Sequence, residues 1–322
     1  MEHIHLIGIG GTGLSAIARL LLESGYTVSG SDVLISPMAK TLQADGVRVD
    51  LGHRAENVQG ADLVIRSSAV RDDNPEVQAA LSAGIPVYKR ADFLGRLMAD
   101  RVGIAIAGTH GKTTTTAMIA WMLSSLGQDP SYIIGGISKN LGSNAHAGQG
   151  RAFVIEADEY DRMFLGLRFQ AAVITNIEYD HPDCFPTESD YYLAFRDFAN
   201  LAPADGVLFI CTDDLQAKRL LTALRTNEKK VLGYGLFPSD IQGIADYRAE
   251  KLSANEKGGF SFTALLPPAD GASGPRRVQV HLQVPGEHNV RNALAALALA
   301  DWLGLPVDRA AESLGLYSGA GR

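Results

Sequence analysis

Two cysteines in 322 residues, Cys184 and Cys211, lie far apart and form no CxxC pair. This argues against a disulfide framework and a thiolate metal site, and it fits a reducing compartment such as the cytoplasm. Basic residues are also scarce: 29 Lys plus Arg stand against 36 Asp plus Glu, a net charge of −7. A general nucleic-acid binder carries the opposite balance, so nucleic acid is not an expected partner. A nucleotide site stays open, because backbone N–H groups and one or two cations hold phosphates locally. The longest apolar stretch near the end, residues 293–300, falls far below the ~20 residues of a membrane span, so no membrane partner is expected. The start, Met1-Glu2-His3-Ile4-His5, has no basic stretch ahead of its apolar one and does not read as a signal peptide. The expectation is a soluble cytoplasmic protein.

What is present can build a core: 46% of residues are hydrophobic and 20% charged. At ~100–200 residues per domain, the length suggests two domains or one large one. Short β-rich runs alternate with longer helical ones, the pattern of an α/β protein with parallel sheets. The first unit reads as strand 3–7, a Gly-rich turn, helix 13–24, strand 27–30, helix 37–45 and strand 48–50. Strand 63–66, helix 74–83, strand 86–88 and helix 90–100 follow, which predicts a Rossmann-like domain over residues 1–99. The second unit, 100–314, starts afresh with strand 102–107, another Gly-rich turn and helix 113–126. Strands are predicted at 152–155, 171–175, 206–210 and 230–233, and a helix at 289–302. Segments 246–252, 258–266 and 277–284 alternate between Gly/Pro/Asn-rich turns and predict a small antiparallel sheet. Residues 315–322 read as a linker.

Gly8-Ile9-Gly10-Gly11-Thr12-Gly13 matches GxGxxG between a strand and a helix, the context that motif requires. Glycine permits the tight turn and lets the backbone approach a diphosphate, which sits on the positive end of the helix. The turn is therefore a candidate diphosphate cradle, for NAD or for another diphosphate, with a ligand-free Gly-rich turn as the alternative. Asp32 ends the next strand, where an acid is placed to accept hydrogen bonds from a ribose. Gly52-His53 and Ser67-Ser68-Ala69 follow other strands, at the sheet edge where open α/β sheets bind ligands. A histidine after glycine is usually a polar loop residue, and Ser-Ser after a strand is often a helix cap. Convergence on one edge is what singles out His53, Ser67, Ser68 and Ala69.

The run Gly108-Thr109-His110-Gly111-Lys112-Thr113-Thr114 follows the apolar strand 102–107. Backbone N–H groups of such a loop surround phosphates, Lys112 reaches the terminal ones, and the Thr113 hydroxyl suits Mg²⁺. The first glycine of an ordinary GxxxxGK would fall at Ile106, so this is a shorter variant. Two later strands run into Glu156-Ala157-Asp158-Glu159-Tyr160-Asp161 and Asn176-Ile177-Glu178-Tyr179-Asp180-His181. In a parallel sheet both ends lie beside the P-loop. One carboxylate, one hydroxyl and phosphate oxygens suffice for Mg²⁺, and Glu156 is nearest its strand end. Asp158, Glu159 and Asp161 read as solvated loop charges. His181 is a less typical Mg²⁺ ligand, with a capping or core histidine as the alternative. Asn289 and Asn292, three apart beside His288, share a helical face, and amides pair with an adenine edge. The alternative there is an Asn cap on a packing helix.

A diphosphate cradle followed by a triphosphate site narrows the function. An NAD-dependent dehydrogenase explains GxGxxG and Asp32 but needs no P-loop. A simple kinase needs no second Rossmann-like unit, and a non-catalytic UDP-sugar module needs no metal ligands. The pair points to ATP activating something carried on a nucleotide.

With these motifs in this order, the chain resembles the Mur ligase family. The resemblance is carried by GIGGTGLSAIA (8–18), Ser31-Asp32, Gly52-His53, ADLVIRSSAV (61–70), DNPEV (73–77) and GIPVYKRADFLGRLM (84–98). GTHGKTTTT (108–116), EADEYD (156–161), NIEYDH (176–181) and PGEHNVRNALAA (285–296) continue it along essentially the whole chain. It implies an ATP-dependent, three-domain ligase of peptidoglycan precursor synthesis. The γ-phosphate of ATP activates the lactyl carboxylate of UDP-N-acetylmuramate as an acyl phosphate, and in the branch most similar to this chain the amine of L-alanine attacks it. It further implies Lys112, Glu156 and His181 as catalytic residues, with Thr113, Glu156 and His181 holding Mg²⁺. ATP would lie on Gly108, Thr109, His110, Gly111, Lys112, Thr113 and Thr114, with His288, Asn289 and Asn292 at the adenosine. The UDP substrate would lie on Gly10–Gly13, Asp32, His53 and Ser67–Ala69.

Two departures stand out. Some relatives bridge their metals with a carbamylated lysine shortly after the histidine, whereas the next lysine here is Lys218. The family's third domain would follow the predicted linker, and the resemblance implies that these residues alone bind nucleotides but ligate little. Glu159-Tyr160-Asp161 is also similar to a second branch that joins a preformed tripeptide to the same UDP-sugar. Phe164-Leu165-Gly166-Leu167 and residues 137–142 favour the alanine-adding branch.

Overall fold

Short apolar runs separated by amphipathic ones give two sheets. In the computed structural model, which describes residues 2–226, 229–236, 244–269 and 271–321, the first unit runs β1 (His3–Ile7), α1 (Thr12–Glu23), β2 (Thr27–Asp32), α2 (Pro37–Ala44) and β3 (Arg48–Leu51). β4 (Leu63–Arg66), α3 (Pro75–Ser82), β5 (Val87–Lys89) and α4 (Arg90–Leu97) complete it. Its sheet is parallel, in the order β3-β2-β1-β4-β5. The order reverses at β1, so the crevice of the sheet opens where the first glycine-rich turn begins. Local chemistry sets the helix starts. Ser36 caps α2 by accepting the Ala39 N–H, Asn74 caps α3 by accepting the Glu76 N–H, and a proline follows each cap. α1 follows Gly11 with no side-chain cap, so no side chain of the cap residue accepts its first-turn N–H groups.

The second unit begins with β6 (Val102–Ala107), α5 (Lys112–Ser125), β7 (Ser131–Ile133), β8 (Ile137–Ser138), β9 (Ala145–His146) and β10 (Ala152–Glu156). A 3₁₀ segment, Tyr160–Gly166, leads to β11 (Ala171–Ile174), α6 (Glu188–Asn200), β12 (Val207–Cys211), α7 (Leu215–Leu224) and β13 (Lys230–Gly235). β14 (Tyr247–Ala254), β15 (Phe260–Leu266), β16 (Arg276–His281), α8 (Glu287–Trp302), α9 (Val307–Gly315) and β17 (Ala320–Gly321) follow. The large sheet is ordered β16-β15-β14-β13-β12-β11-β6-β10-β7-β9. β10 and β11 pair in parallel on either side of β6, so their C-terminal ends flank the P-loop. The antiparallel strands β14–β16 are continuous with the parallel ones, because β14 joins β13 through Tyr234–Tyr247 and Gly235–Arg248.

Successive residues of β6 serve two cores. Ile104 and Ile106 pack with α5 and α8, while Ala105 and Ala107 pack with the core that α6, α7 and the first unit share. α8 is buried from Asn292 through Ala300, as a helix covered on several sides must be. Residues 315–321, expected as a linker, are docked: Tyr317 is fully buried and β17 pairs with β8. Arg322, the end of that expected linker, lies outside the described residues. Among the described residues no helix is long and apolar enough to cross a membrane. Cys184 and Cys211 are free thiols.

Candidate active site

The P-loop is templated by the end of β11. Gly108 has a φ of +140°, and a Cβ there would run into the Thr175 hydroxyl; Gly111, at φ +84°, turns the chain into α5. Thr175 Oγ1 donates to the His110 carbonyl at 2.6 Å. Asn176 holds the same residue from both sides: its Oδ1 accepts the His110 N–H and its Nδ2 donates to the His110 carbonyl, each at 2.9 Å. Thr109 Oγ1 donates to the Glu178 carbonyl at 2.7 Å.

Lys112, on the first turn of α5, donates to the Gly108 carbonyl at 2.6 Å and to both oxygens of Glu159 at 2.9 and 2.7 Å. Glu159 is not the solvated loop charge expected; it is 1% exposed. Asp161 and Arg162 take left-handed conformations that curl residues 160–166 back, and this turns Glu159 inward. Tyr191 donates to Glu159 Oε1 at 3.3 Å, and burial raises its pKa well above the ordinary phenol range, so it remains a neutral donor. His181 Nε2 lies 3.6 Å from Glu159 Oε1, with its ring edge-on to Tyr160. Glu159 and Tyr191 were missed in the sequence, and both touch expected site residues.

Thr113 donates to Glu156 Oε1 at 3.2 Å, and the Gly135 N–H donates to Glu156 Oε2 at 2.8 Å. Burial raises the Glu156 pKa, and these two bonds pull against that. A hydroxyl beside a carboxylate is an oxygen-donor pair of the kind Mg²⁺ takes when phosphate oxygens and water complete its shell. Among the described residues no three His, Cys, Asp or Glu side chains converge as a metal-binding group. Thr114 sits half-buried on the same turn of α5.

Beyond the P-loop, a cavity of about 360 Å³ is lined by His110, Gly111, Tyr234, His288, Arg291 and Asn292 among others. Asn289 does not line it. Its Nδ2 donates to the Pro285 carbonyl at 2.7 Å and its Oδ1 accepts from Asn292 at 3.3 Å, so it orients Asn292. Arg291, which bonds Asp213 at 2.7 Å, also lines the cavity and was not among the expected site residues.

In the first unit the glycine turn is braced by Asp32. Its Oδ2 accepts the Gly10 N–H at 2.8 Å, so the acid expected at a ribose supports the cradle itself. Ser36 donates to the Gly10 carbonyl at 2.8 Å. Ser67 and Ser68 line a cavity of about 400 Å³ together with Arg66, Arg71 and Lys89 and with Asp72 and Asp73, which pair with Arg66 and Arg71. Ala69 is held outside that lining, its N–H donating to Ser67 Oγ at 3.4 Å. His53 Nδ1 lies 3.1 Å from Ser31 Oγ and 3.5 Å from Glu76 Oε1.

The two sites meet. Arg90, the first residue of α4, lays its guanidinium against Gly13 and donates to Met163 Sδ at 2.8 Å and Asp158 Oδ2 at 3.5 Å. A cavity of about 190 Å³ is lined by Thr12, Gly13 and Arg90 from one unit and Gly135, Glu156 and Asp158 from the other. The cradle and the carboxylate beside the P-loop therefore face one space.

Comparison with known proteins agrees with this geometry. Residues 3–102 match the Mur ligase family, catalytic domain, and residues 106–300 match the Mur ligase middle domain. The chain is 42% identical over its full length to a UDP-N-acetylmuramate–L-alanine ligase of Bordetella petrii, covering 67% of that protein. Among solved structures, it superposes on the UDP-N-acetylmuramate-alanine ligase of Thermotoga maritima with a TM-score of 0.81 at 30% identity, covering all of this chain and 70% of that one. The UDP-N-acetylmuramate:L-alanyl-gamma-D-glutamyl-meso-diaminopimelate ligase of Neisseria meningitides gives 0.85 at 30% identity, with both chains fully covered. The chain spans about two thirds of the length of the curated relatives it matches.

Proposed function

The chain belongs to the Mur ligase family, and from that premise we propose that its two units bind the nucleotides of an ATP-dependent ligase joining L-alanine to UDP-N-acetylmuramate. The observation that carries this reading is the shared cavity, in which a diphosphate cradle faces Glu156 and the P-loop. The Gly10–Gly13 turn holds the UDP diphosphate on the N-terminus of α1, and His53, Ser67 and Ser68 lie toward the nucleoside. ATP lies along Gly108–Thr114, with its adenosine in the cavity of His288 and Asn292.

A carboxylate is a poor electrophile, so the substrate is activated first. A lactyl carboxylate oxygen attacks the γ-phosphorus, the bond to the β,γ-bridging oxygen breaks, and ADP leaves. The L-alanine amine then adds to the acyl phosphate, loses a proton, and expels phosphate as the amide forms. The protein's part is positioning and charge neutralisation. Lys112 meets the terminal phosphates, and its present contact with Glu159 holds the ammonium in place before they arrive. Thr113 and Glu156 fit Mg²⁺, which when bound neutralises phosphate oxygens. His181, against Glu159, lies toward the substrate carboxylate. Soluble nucleotide substrates make the cytoplasm the compartment we propose.

Titration calorimetry with UDP-N-acetylmuramate, UDP and NADH tests this reading. Tight binding of the first, weaker binding of the second and none of the third are expected. NADH binding without either UDP ligand would overturn it. The Neisseria superposition, at a TM-score of 0.85 against 0.81 for the Thermotoga structure, favours the peptide-joining branch, whereas the 42% identity to the Bordetella protein over the full chain favours the alanine-adding one.

A further inference from the structure

We propose that Glu76 is a positioning residue for the nucleoside end of the first site, acting through Ser31 to fix which ring nitrogen His53 presents to a UDP-type ligand. The inference rests on the reading of the first unit as a UDP-substrate domain and deepens it. Glu76 lies on the first turn of α3, fully buried beneath the C-terminal edge of the sheet. Ser31 Oγ donates to its Oε2 at 2.6 Å. A hydroxyl has one proton, so toward His53 Nδ1, 3.1 Å away, Ser31 can only accept. Nδ1 must then carry hydrogen. Glu76 Oε1, 3.5 Å from the same nitrogen, is a second acceptor that agrees with this assignment. Nε2 is the end left for a ligand. In the neutral ring it offers a lone pair, which takes a hydrogen bond from a donor such as a uracil imide or a ribose hydroxyl.

The carboxylate is held in this role from several elements. Asn57 donates to Oε1 at 2.5 Å, the Arg54 N–H approaches Oε1 at 3.3 Å, and His5 Nε2 from β1 lies 3.3 Å from Oε2. Its charge and orientation are therefore set before a ligand arrives. A glutamate needed only to tie α3 to the sheet would have no reason to dictate the tautomer of the half-buried histidine at the ligand edge.

Two measurements decide the matter. In the ¹⁵N-histidine spectrum of the free protein, His53, assigned by the signal lost in His53→Gln, should show a protonated Nδ1 and a bare Nε2. The opposite tautomer would overturn the proposal. In calorimetric titration with UDP, Glu76→Gln should weaken binding about tenfold, the scale of one lost hydrogen bond. The same substitution placed on His53→Ala should change nothing further. An equal loss in both backgrounds means that Glu76 is merely structural, and the proposal fails. Should Glu76→Gln not fold, Ser31→Ala breaks the relay while leaving Asn57 and His5 on the carboxylate, and the same dependence on His53 is expected. A wild-type chain that binds no UDP would instead refute the function proposed for the first unit.

Discussion

At the scale of single residues, two buried carboxylates bear on stability. Lys112 and Glu159 form a pair with almost no solvent on the acid side. Removing one partner strands the other's charge, whereas removing both does not. Lys112→Met is expected to cost about 3–5 kcal/mol in chemical denaturation. Adding Glu159→Gln should recover most of that loss without restoring ATP binding. Glu76 makes a second, pH-dependent case. Burial pushes its carboxyl up, but hydrogen bonds from His5, Ser31 and Asn57 more than offset this and hold its pKa at about 2, against 4.5 ordinarily. The folded state thus favours the ionised form. The stability it adds is complete above the unfolded chain's pKa and is lost as pH falls from there toward about 2. At ~1.4 kcal/mol per pKa unit the contribution is about 3 kcal/mol. Unfolding free energies measured between neutral and acid pH should fall over that window, and Glu76→Gln should flatten the fall.

At the scale of elements, the two glycine turns answer differently to one added methyl. At Gly108 a Cβ meets Thr175 Oγ1 and backbone atoms of Asn176, and the φ is one that alanine avoids. Gly108→Ala should cost about 1–3 kcal/mol in thermal unfolding and abolish ATP binding, because β11 and the loop must part. At Gly13 the obstacle is the end of a flexible arginine, Arg90. Gly13→Ala should leave the melting temperature nearly unchanged while weakening UDP-N-acetylmuramate in calorimetry, since the guanidinium moves off the cradle. These turns were legible in the sequence because their glycines and flanking apolar strands carry the geometry locally. Glu159 was not legible, because its burial depends on left-handed Asp161 and Arg162, a conformation that no residue type there announces. Glu76 left a readable trace: His5, Ser29 and Ser31 are polar on strands buried on both faces, and such residues need a buried partner. α6 and α7 carry a local signal in their caps, Thr187 and Asp214, although neither helix was predicted. The continuity of β14 with β13 rests on two residue pairs, too short a feature for hydrophobic patterning to register.

At the scale of the whole molecule, the proposed ligation requires the glycine turn of one unit and the P-loop of the other to stay in register. Sequence patterns placed each site on its own sheet but carried no information on how the sheets face one another. That relation is set by contacts between α4 and the 3₁₀ segment, where Gly95 packs against the Gly166 carbonyl and Gly166 against Ala91. Glu23 adds to it, accepting the Ala147 N–H at 2.8 Å and lying 2.9 Å from His146 Nδ1. Gly95 therefore tests whether the interface matters. Alanine there favours the helix by about 1 kcal/mol, so α4 itself should not suffer. Its methyl, however, meets a backbone carbonyl that cannot rotate away, and the two units must separate to admit it. In the function proposed above, UDP alone and ATP alone each contact mainly one unit, so their affinities should stay within about twofold of wild type. A ligand pair that shares the cavity between Gly13 and Glu156 has no such protection. In the wild-type chain, saturating ATP should tighten UDP-N-acetylmuramate, and by linkage the reverse should hold to the same degree. In Gly95→Ala that mutual effect should vanish, with a larger radius of gyration in solution scattering. Retained coupling in a chain shown by scattering to be opened would mean that the two sites communicate by some path other than their shared wall.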